Sequence, residues 1–187
     1  MELGVTFFNV FLRSPAILFP EEQKVRAPKI LPYIFSQCPS VKIIGLAEVW
    51  RGYSKQIIET AMNKYNFKSI TDTSLRVFQN SGLCMLYDAA VFNLLNADLV
   101  VFQDSYLLDA FANKGFMVAT LQVKTSKVLL YVILTHLNDG YDGCESARRV
   151  QYKQLATIRK YIARNFSPHI PFIIMGDLNV DFRTNTY

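Results

Sequence analysis

Along the chain, short apolar runs rich in β-branched and aromatic side chains alternate with helical stripes and turns. The runs Leu3–Phe11, Val41–Val49, Gly82–Tyr87 and Phe172–Met175 predict strands. Ala90–Phe102 predicts extended structure, although Leu94-Leu95-Asn96 breaks its pattern. Phe116–Lys124 and Lys127–Leu134 predict a hairpin around Thr125-Ser126. Three segments predict helices. Glu21–Phe35 carries Pro28 and Pro32, which should kink it or delay its start. Ser54–Tyr65 has Ser54 as its expected N-cap and an apolar stripe through Ile57, Ile58, Ala61, Met62 and Tyr65. Ser146–Asn165 carries a stripe through Leu155, Ile158 and Ile162, and Ser167-Pro168 ends it.

Several strands are apolar on both faces, so they should be covered on both sides. Mixed strands and helices then give a layered α/β fold. A two-sheet sandwich with outer helices accounts for the strand number, and a single doubly wound sheet also fits the pattern. One domain over residues 1–187 fits the length. Apolar residues make up 51% and charged residues 19%, a globular composition rather than a disordered one.

A net charge of +5 suits an anionic partner such as nucleic acid, a lipid headgroup or a membrane surface. No basic stripe with interleaved aromatic residues of the kind that grips nucleic acid strands is visible in the sequence. Three widely spaced cysteines, Cys38, Cys84 and Cys144, make neither a disulfide framework nor a zinc site and favour a reducing compartment. The N-terminus lacks a signal-peptide pattern, and no apolar run is long enough to span a bilayer. The expectation is a cytoplasmic or peripheral membrane location. Tyr106, Phe111 and Phe116 are candidates either for a membrane-contacting edge or for the core.

Four strands end in groups that can bind a metal or a phosphate. Followed in alternation, Val5 and Phe7 lead to Asn9, and Ile44 and Leu46 lead to Glu48. Val132 and Leu134 lead to His136. Ile173 and Met175 lead to Asp177 and then Asn179. Taken singly, such residues are ordinarily turn residues, solvated strand ends or structural histidines. Burying them unpaired costs roughly 2–7 kcal/mol per polar group, and more for a charge. They therefore sit at a wet rim or share a partner. Carboxylate and carboxamide oxygens suit Mg²⁺ or Mn²⁺ rather than Zn²⁺.

Asn9 in "FFNVF", Glu48 in "IIGLAEVW", His136 in "VILTHL" and Asp177 and Asn179 in "IIMGDLNV" resemble, in order and approximate spacing, the endonuclease/exonuclease/phosphatase superfamily. The resemblance runs over nearly the whole chain. Within the superfamily, "NSGLCMLY", "DAFANKGFMVATL" and "ARRVQYKQL", the last with Arg148 and Gln151, are similar to the neutral sphingomyelinase branch. The resemblance implies a deoxyribonuclease I-like four-layer α/β/β/α sandwich and a Mg²⁺-dependent phosphodiester hydrolase. It implies that Glu48 holds the metal and that Asn9 positions metal or phosphate. Asp177 would orient or activate water, and Asn179 would bind phosphate oxygens or a second metal. His136 would stabilise the transition state or assist the leaving group.

The substrate implied is a phospholipid such as sphingomyelin. A nucleic-acid substrate and an inactive, partner-binding remnant are the alternatives. Three departures from the family pattern stand out. Ala47 replaces a Gln that would support the metal-binding Glu, and Tyr87-Asp88 replaces Ser-Arg. The family's later strands and C-terminal Ser-Asp-His have no counterpart, and His169 fits no part of that motif. The expectation is a C-terminally incomplete sandwich with open sheet edges, completed in a longer reading frame or by a segment supplied in trans.

Overall fold

The computed structural model describes residues 3–12, 20–71, 81–106, 114–140 and 144–180. Asn80 and Phe111 lie outside this set. The elements are β1 (Gly4–Leu12), α1 (Pro20–Gln37), β2 (Val41–Val49), α2 (Arg51–Tyr65), β3 (Phe67–Thr71), β4 (Cys84–Asp88), β5 (Phe92–Val101), β6 (Gly115–Val123), β7 (Leu129–His136), α3 (Glu145–Asn165) and β8 (Phe172–Asp177).

The strands form two four-stranded sheets, ordered β1-β2-β4-β3 and β5-β6-β7-β8. The doubly wound single sheet is thereby excluded. Each sheet holds one parallel pair: β1 with β2, and β7 with β8. Parallel neighbours need a long crossover, and α1 and α3 supply it. The remaining pairs are antiparallel.

Three apolar layers follow from strand alternation. Ile44, Leu46 and Val49 of β2 pack against Ala27, Leu31 and Ile34 of α1 and Ile57 and Ala61 of α2. Ile43 and Ala47 of β2 meet Met117, Val132, Leu134 and Met175 of the other sheet. Phe116, Val118 and Ile133 pack under Ile158 of α3. The result is helix, sheet, sheet, helix. Gly45 sits where the sheets come closest; a Cβ there would lie 2.8 Å from Leu134 Cδ1 and 2.9 Å from the Met175 thioether.

Several local expectations change. Both prolines lie inside the unbroken helix α1. Helix α2 starts at Arg51 after Trp50, so Ser54 is within its first turns rather than its N-cap. Strand β3 carried no signal beyond a five-residue run. The interruption at Leu94-Leu95-Asn96 is a register shift in β5, one extra residue bulging from the strand. The β6–β7 connection spans residues 124–128, with Lys127 in the left-handed region (φ 61), and is longer than the two-residue turn expected. Phe116 is fully buried, so it belongs to the core and to no membrane edge. The three cysteines are free. Among the described residues, no helix is long and apolar enough to cross a membrane.

Candidate active site

In parallel α/β arrangements, ligand sites gather beyond the carboxyl ends of the strands. Here two such ends face each other, one from each sheet. Asn9 ends the straight part of β1 and Glu48 lies near the end of β2. His136 and Asp177 are the last residues of β7 and β8 and are directly paired in register.

One amide ties them together. Asn9 Nδ2 donates to Glu48 Oε1 at 3.1 Å and to Asp177 Oδ2 at 2.9 Å. The two carboxylates can be no farther apart than the sum of these distances. Asn9 Oδ1 accepts the Phe11 backbone N–H at 3.1 Å, which fixes the amide's orientation. Asn9 is therefore a spacer that donates to both carboxylates.

Glu48 reaches this point by a route that alternation does not anticipate. Ile44 and Leu46 face the helices, so strict alternation would send Glu48 there too. Instead Glu48 has φ 60, Val49 takes the helix-facing place, and the β1–β2 register shifts between Asn9 and Leu12. This irregularity turns the Glu48 carboxylate towards Asp177. A non-glycine residue at positive φ carries backbone strain, and strain at such a point is in keeping with a functional position. Glu48 does not share a face with Ile44 and Leu46.

The rest of the site is built from backbone and buried amides. Asp177 Oδ1 accepts the Asn179 N–H at 3.0 Å, an Asx turn. Asn179, at φ 51, donates Nδ2 to the Leu137 carbonyl at 2.9 Å. Gln151 Nε2 of α3 donates to the carbonyls of Asn138 (2.8 Å) and Asn179 (2.9 Å). Gln154 accepts the Asn138 N–H at 2.9 Å, and Asn138 Oδ1 accepts the Tyr106 N–H at 2.9 Å. Gln151, Gln154 and Asn138 are all buried, and they lock the Leu137–Asn138 and Asn179 segments to α3. Lys114 is also buried, with Nζ donating to the Leu137 carbonyl at 2.8 Å. The sequence marked Lys114 and Gln151 only as parts of "ANKG" and "ARRVQ". Their positions beside the site come from folding.

His136 is buried at the inter-sheet end of β7. Burial, with the positive charge of Lys114, lowers its pKa to about 4, against the opposing pull of Asp177 and Asp139. It is neutral at pH 7 and so has one N–H to donate and one nitrogen to accept. The folded protein resists a proton that the unfolded chain takes up near pH 6.5. Stability attributable to His136 is thus fully present above pH 6.5 and declines as pH falls towards 4. Between pH 7 and pH 4, about 3 kcal/mol of stability should be lost through this residue. Urea unfolding without divalent cations will show it, and His136→Gln should flatten that part of the pH curve.

Two departures from the family pattern look different in three dimensions. Ala47 is buried between the sheets, and Glu48 receives its hydrogen bond from Asn9 instead. Asp88 sits at the opposite end of the first sheet, where it accepts from Lys42 Nζ and the Ala90 N–H, both at 2.8 Å. It has no place in the site. His169 precedes β8, at the end of that strand away from Asp177.

Glu48, Asp177 and the Asn9 amide form a compact, oxygen-rich, anionic group. Among the described residues no three His, Cys, Asp or Glu side chains converge. The two carboxylates fit a hard cation that keeps most of its own waters, as Mg²⁺ does, and do not fit zinc; the Asn9 amide turns its nitrogen to them and its oxygen to the Phe11 N–H, so Asn9 is not placed as an oxygen ligand.

This sandwich, with facing strand ends that carry the polar groups, has the deoxyribonuclease I-like fold. Sphingomyelinase C from Streptomyces griseocarneus is similar to it with a TM-score of 0.78 and 22% identity, over 95% of this chain and 64% of that one. A beta toxin from Staphylococcus aureus with bound magnesium ions matches with a TM-score of 0.79 and 17% identity, over 96% of this chain and 65% of that one. TDP2 from D. rerio, complexed with a single-strand DNA product, matches with a TM-score of 0.67 and 14% identity, over 96% of this chain and 61% of that one. The chain thus spans less than two thirds of the length of each. No protein-family profile matches the sequence, and no curated protein matches it.

Proposed function

We propose that the chain is a Mg²⁺-dependent phosphodiester hydrolase acting on a phospholipid such as sphingomyelin. The observation that carries the reading is the single amide of Asn9 bonded at once to Glu48 and Asp177, from opposite sheets. Its support is the likeness to a sphingomyelinase and to a magnesium-bound toxin.

Glu48 is the anionic ligand proposed for the cation, with Asn9 holding the two carboxylates in reach of one another. When bound, Mg²⁺ supplies Lewis-acid polarisation of the phosphoryl group and offsets its charge. Asp177 orients the attacking water and accepts its proton. Neutral His136 donates its N–H to a phosphoryl oxygen as charge develops there. Asn179 is proposed to bind a phosphate oxygen. One N–H of its Nδ2 is held on the Leu137 carbonyl, which leaves the second N–H for the phosphate.

Sphingomyelin vesicles with Mg²⁺ should release phosphocholine, and Glu48→Gln should not. A second reading, a nuclease, is favoured by the DNA product bound to the D. rerio neighbour. Degradation of labelled DNA or RNA, with vesicles left intact, would select it. The cation itself is tested separately. At Mg²⁺ about 100-fold above its dissociation constant, stabilisation should reach about 2.7 kcal/mol, or roughly 5–10 °C in Tm. Glu48→Gln should abolish the shift. An unchanged Tm in the wild-type chain would favour the third reading, a non-catalytic partner-binding protein.

A further inference from the structure

The inward face of α3 carries Ala147, Gln151, Gln154 and Ile158, all buried. Two carboxamides thus stand in the middle of a stripe where packing alone calls for apolar side chains. Burying an amide is costly unless its hydrogen bonds are made. Gln151, only 5% exposed, makes them with both N–H groups of Nε2. One donates to the Asn138 carbonyl at 2.8 Å and the other to the Asn179 carbonyl at 2.9 Å.

These carbonyls lie just beyond the end of a ladder. The parallel pairing of β7 with β8 ends at His136 and Asp177, and one further bond joins the Leu137 N–H to the Asp177 carbonyl at 2.9 Å. There the two chains part. Gln151 bridges them and stands where the next rung would be. Gly140 lies against the same bridge. A Cβ on it would lie 3.3 Å from the Asn179 carbonyl oxygen and 3.6 Å from Gln151 Nε2.

The residue held in this way is the one with an N–H left for substrate. The Asn179 backbone N–H is on Asp177 Oδ1, and one N–H of its Nδ2 is on the Leu137 carbonyl. A side chain held at one point still swings about that point. Fixing the backbone on both sides of the Cα, at the N–H and at the carbonyl, stops the swing. The same bonds hold Asn179 in the left-handed region, at φ 51. We propose that Gln151 is a positioning residue: by holding the Asn179 carbonyl, it aims the second N–H of that carboxamide at the phosphoryl group. The inference rests on the reading of Asn179 as a phosphate ligand. Gln151 itself touches no reacting atom. A donor aimed in advance needs no reorganisation as charge develops on the phosphoryl oxygens. Gln154, one turn further along α3, is the contrast. It bonds the Asn138 N–H and the Asp104 carbonyl, and neither bond reaches Asn179.

The test is a double-mutant cycle on the whole chain, with Mg²⁺ and soluble bis(p-nitrophenyl) phosphate. Gln151→Met keeps the length of the side chain and removes both donors. It should lower kcat by about 10–100-fold with KM little changed, the usual effect of a displaced group that works in the transition state. Asn179→Ala should cost at least as much, and Gln151→Met added to Asn179→Ala should cost nothing more. Ile158→Ala, on the same face of α3, should lower the urea midpoint and leave kcat unchanged. Gln151→Asn is one methylene too short to span both carbonyls, and it gives the same reading should the Met variant fail to fold. A wild-type rate in Gln151→Met overturns the proposal. So does an equal loss with and without the Asn179 side chain, which would mark Gln151 as a brace of the fold alone. If wild type turns over no diester, the catalytic reading fails, and the positioning role is read by NMR instead. Inorganic phosphate with Mg²⁺ should then shift the Asn179 side-chain NH₂ signals in wild type and not in Gln151→Met. No shift in wild type, or equal shifts in both, overturns it.

Discussion

Asp177→Asn should lower turnover of any diester substrate by about 10²–10⁴, the usual worth of a positioned general base. The fold should survive the change. An asparagine at 177 keeps an oxygen to accept the Asn179 N–H, so the Asx turn persists. What it loses is the oxygen that accepts from Asn9 Nδ2, the charge facing Glu48 across Asn9 and the ability to take a proton. The informative companion is Asp88→Asn. Asp88 is more deeply buried and paired with Lys42, yet it lies at the far end of the sheet. It should cost stability in urea and leave kcat unchanged. If both substitutions reduced the rate equally after correction for folded fraction, the assignment of Asp177 to the chemistry would fail.

The second large effect is on folding. Gly176 has φ 150, and a Cβ there would lie 2.0 Å from the Thr135 carbonyl oxygen of the adjacent strand. That obstacle is backbone, held in register by β7–β8 pairing, so it cannot step aside. Gly176→Ala should therefore destabilise the protein by roughly 3–5 kcal/mol, from strain and a displaced strand end. Gly45→Ala is the contrast. Its Cβ would meet the tips of Leu134 and Met175, which can move. A cost of about 1–3 kcal/mol is expected there. Urea unfolding of the two variants measures the difference directly; equal costs would show that β8 can slide along β7.

Most strands and the polar residues at their ends were legible because strand periodicity is local, but that pattern left a single sheet as open as a sandwich, and the family resemblance chose between them. Counting by twos from Val5, Val132 and Ile173 leads to Asn9, His136 and Asp177, and the structure keeps these on the inter-sheet face. The same counting misplaced Glu48. A left-handed residue near the end of β2 reverses the side to which the chain points, and nothing in "GLAEVW" announces it. Strand β3 was missed because its five residues gain their order from pairing with β4 rather than from a pattern of their own. Lys114 and Gln151 are similar cases: side chains whose neighbours are supplied by β7 and the segment after β8.

The amide bond that joins Asn9 to Asp177 closes a loop of 168 residues. Contacts of such sequence separation are the last to be rewarded as a chain condenses, because the entropy of closing the loop is lost first. A cation or diester held between these strand ends therefore has no local fragment to bind. Its affinity is felt by the cooperative unit as a whole, and it slows the parting of the two sheets rather than the fraying of either one. Hydrogen exchange should register this as ligand protection of buried amides in β2 and β7 alike.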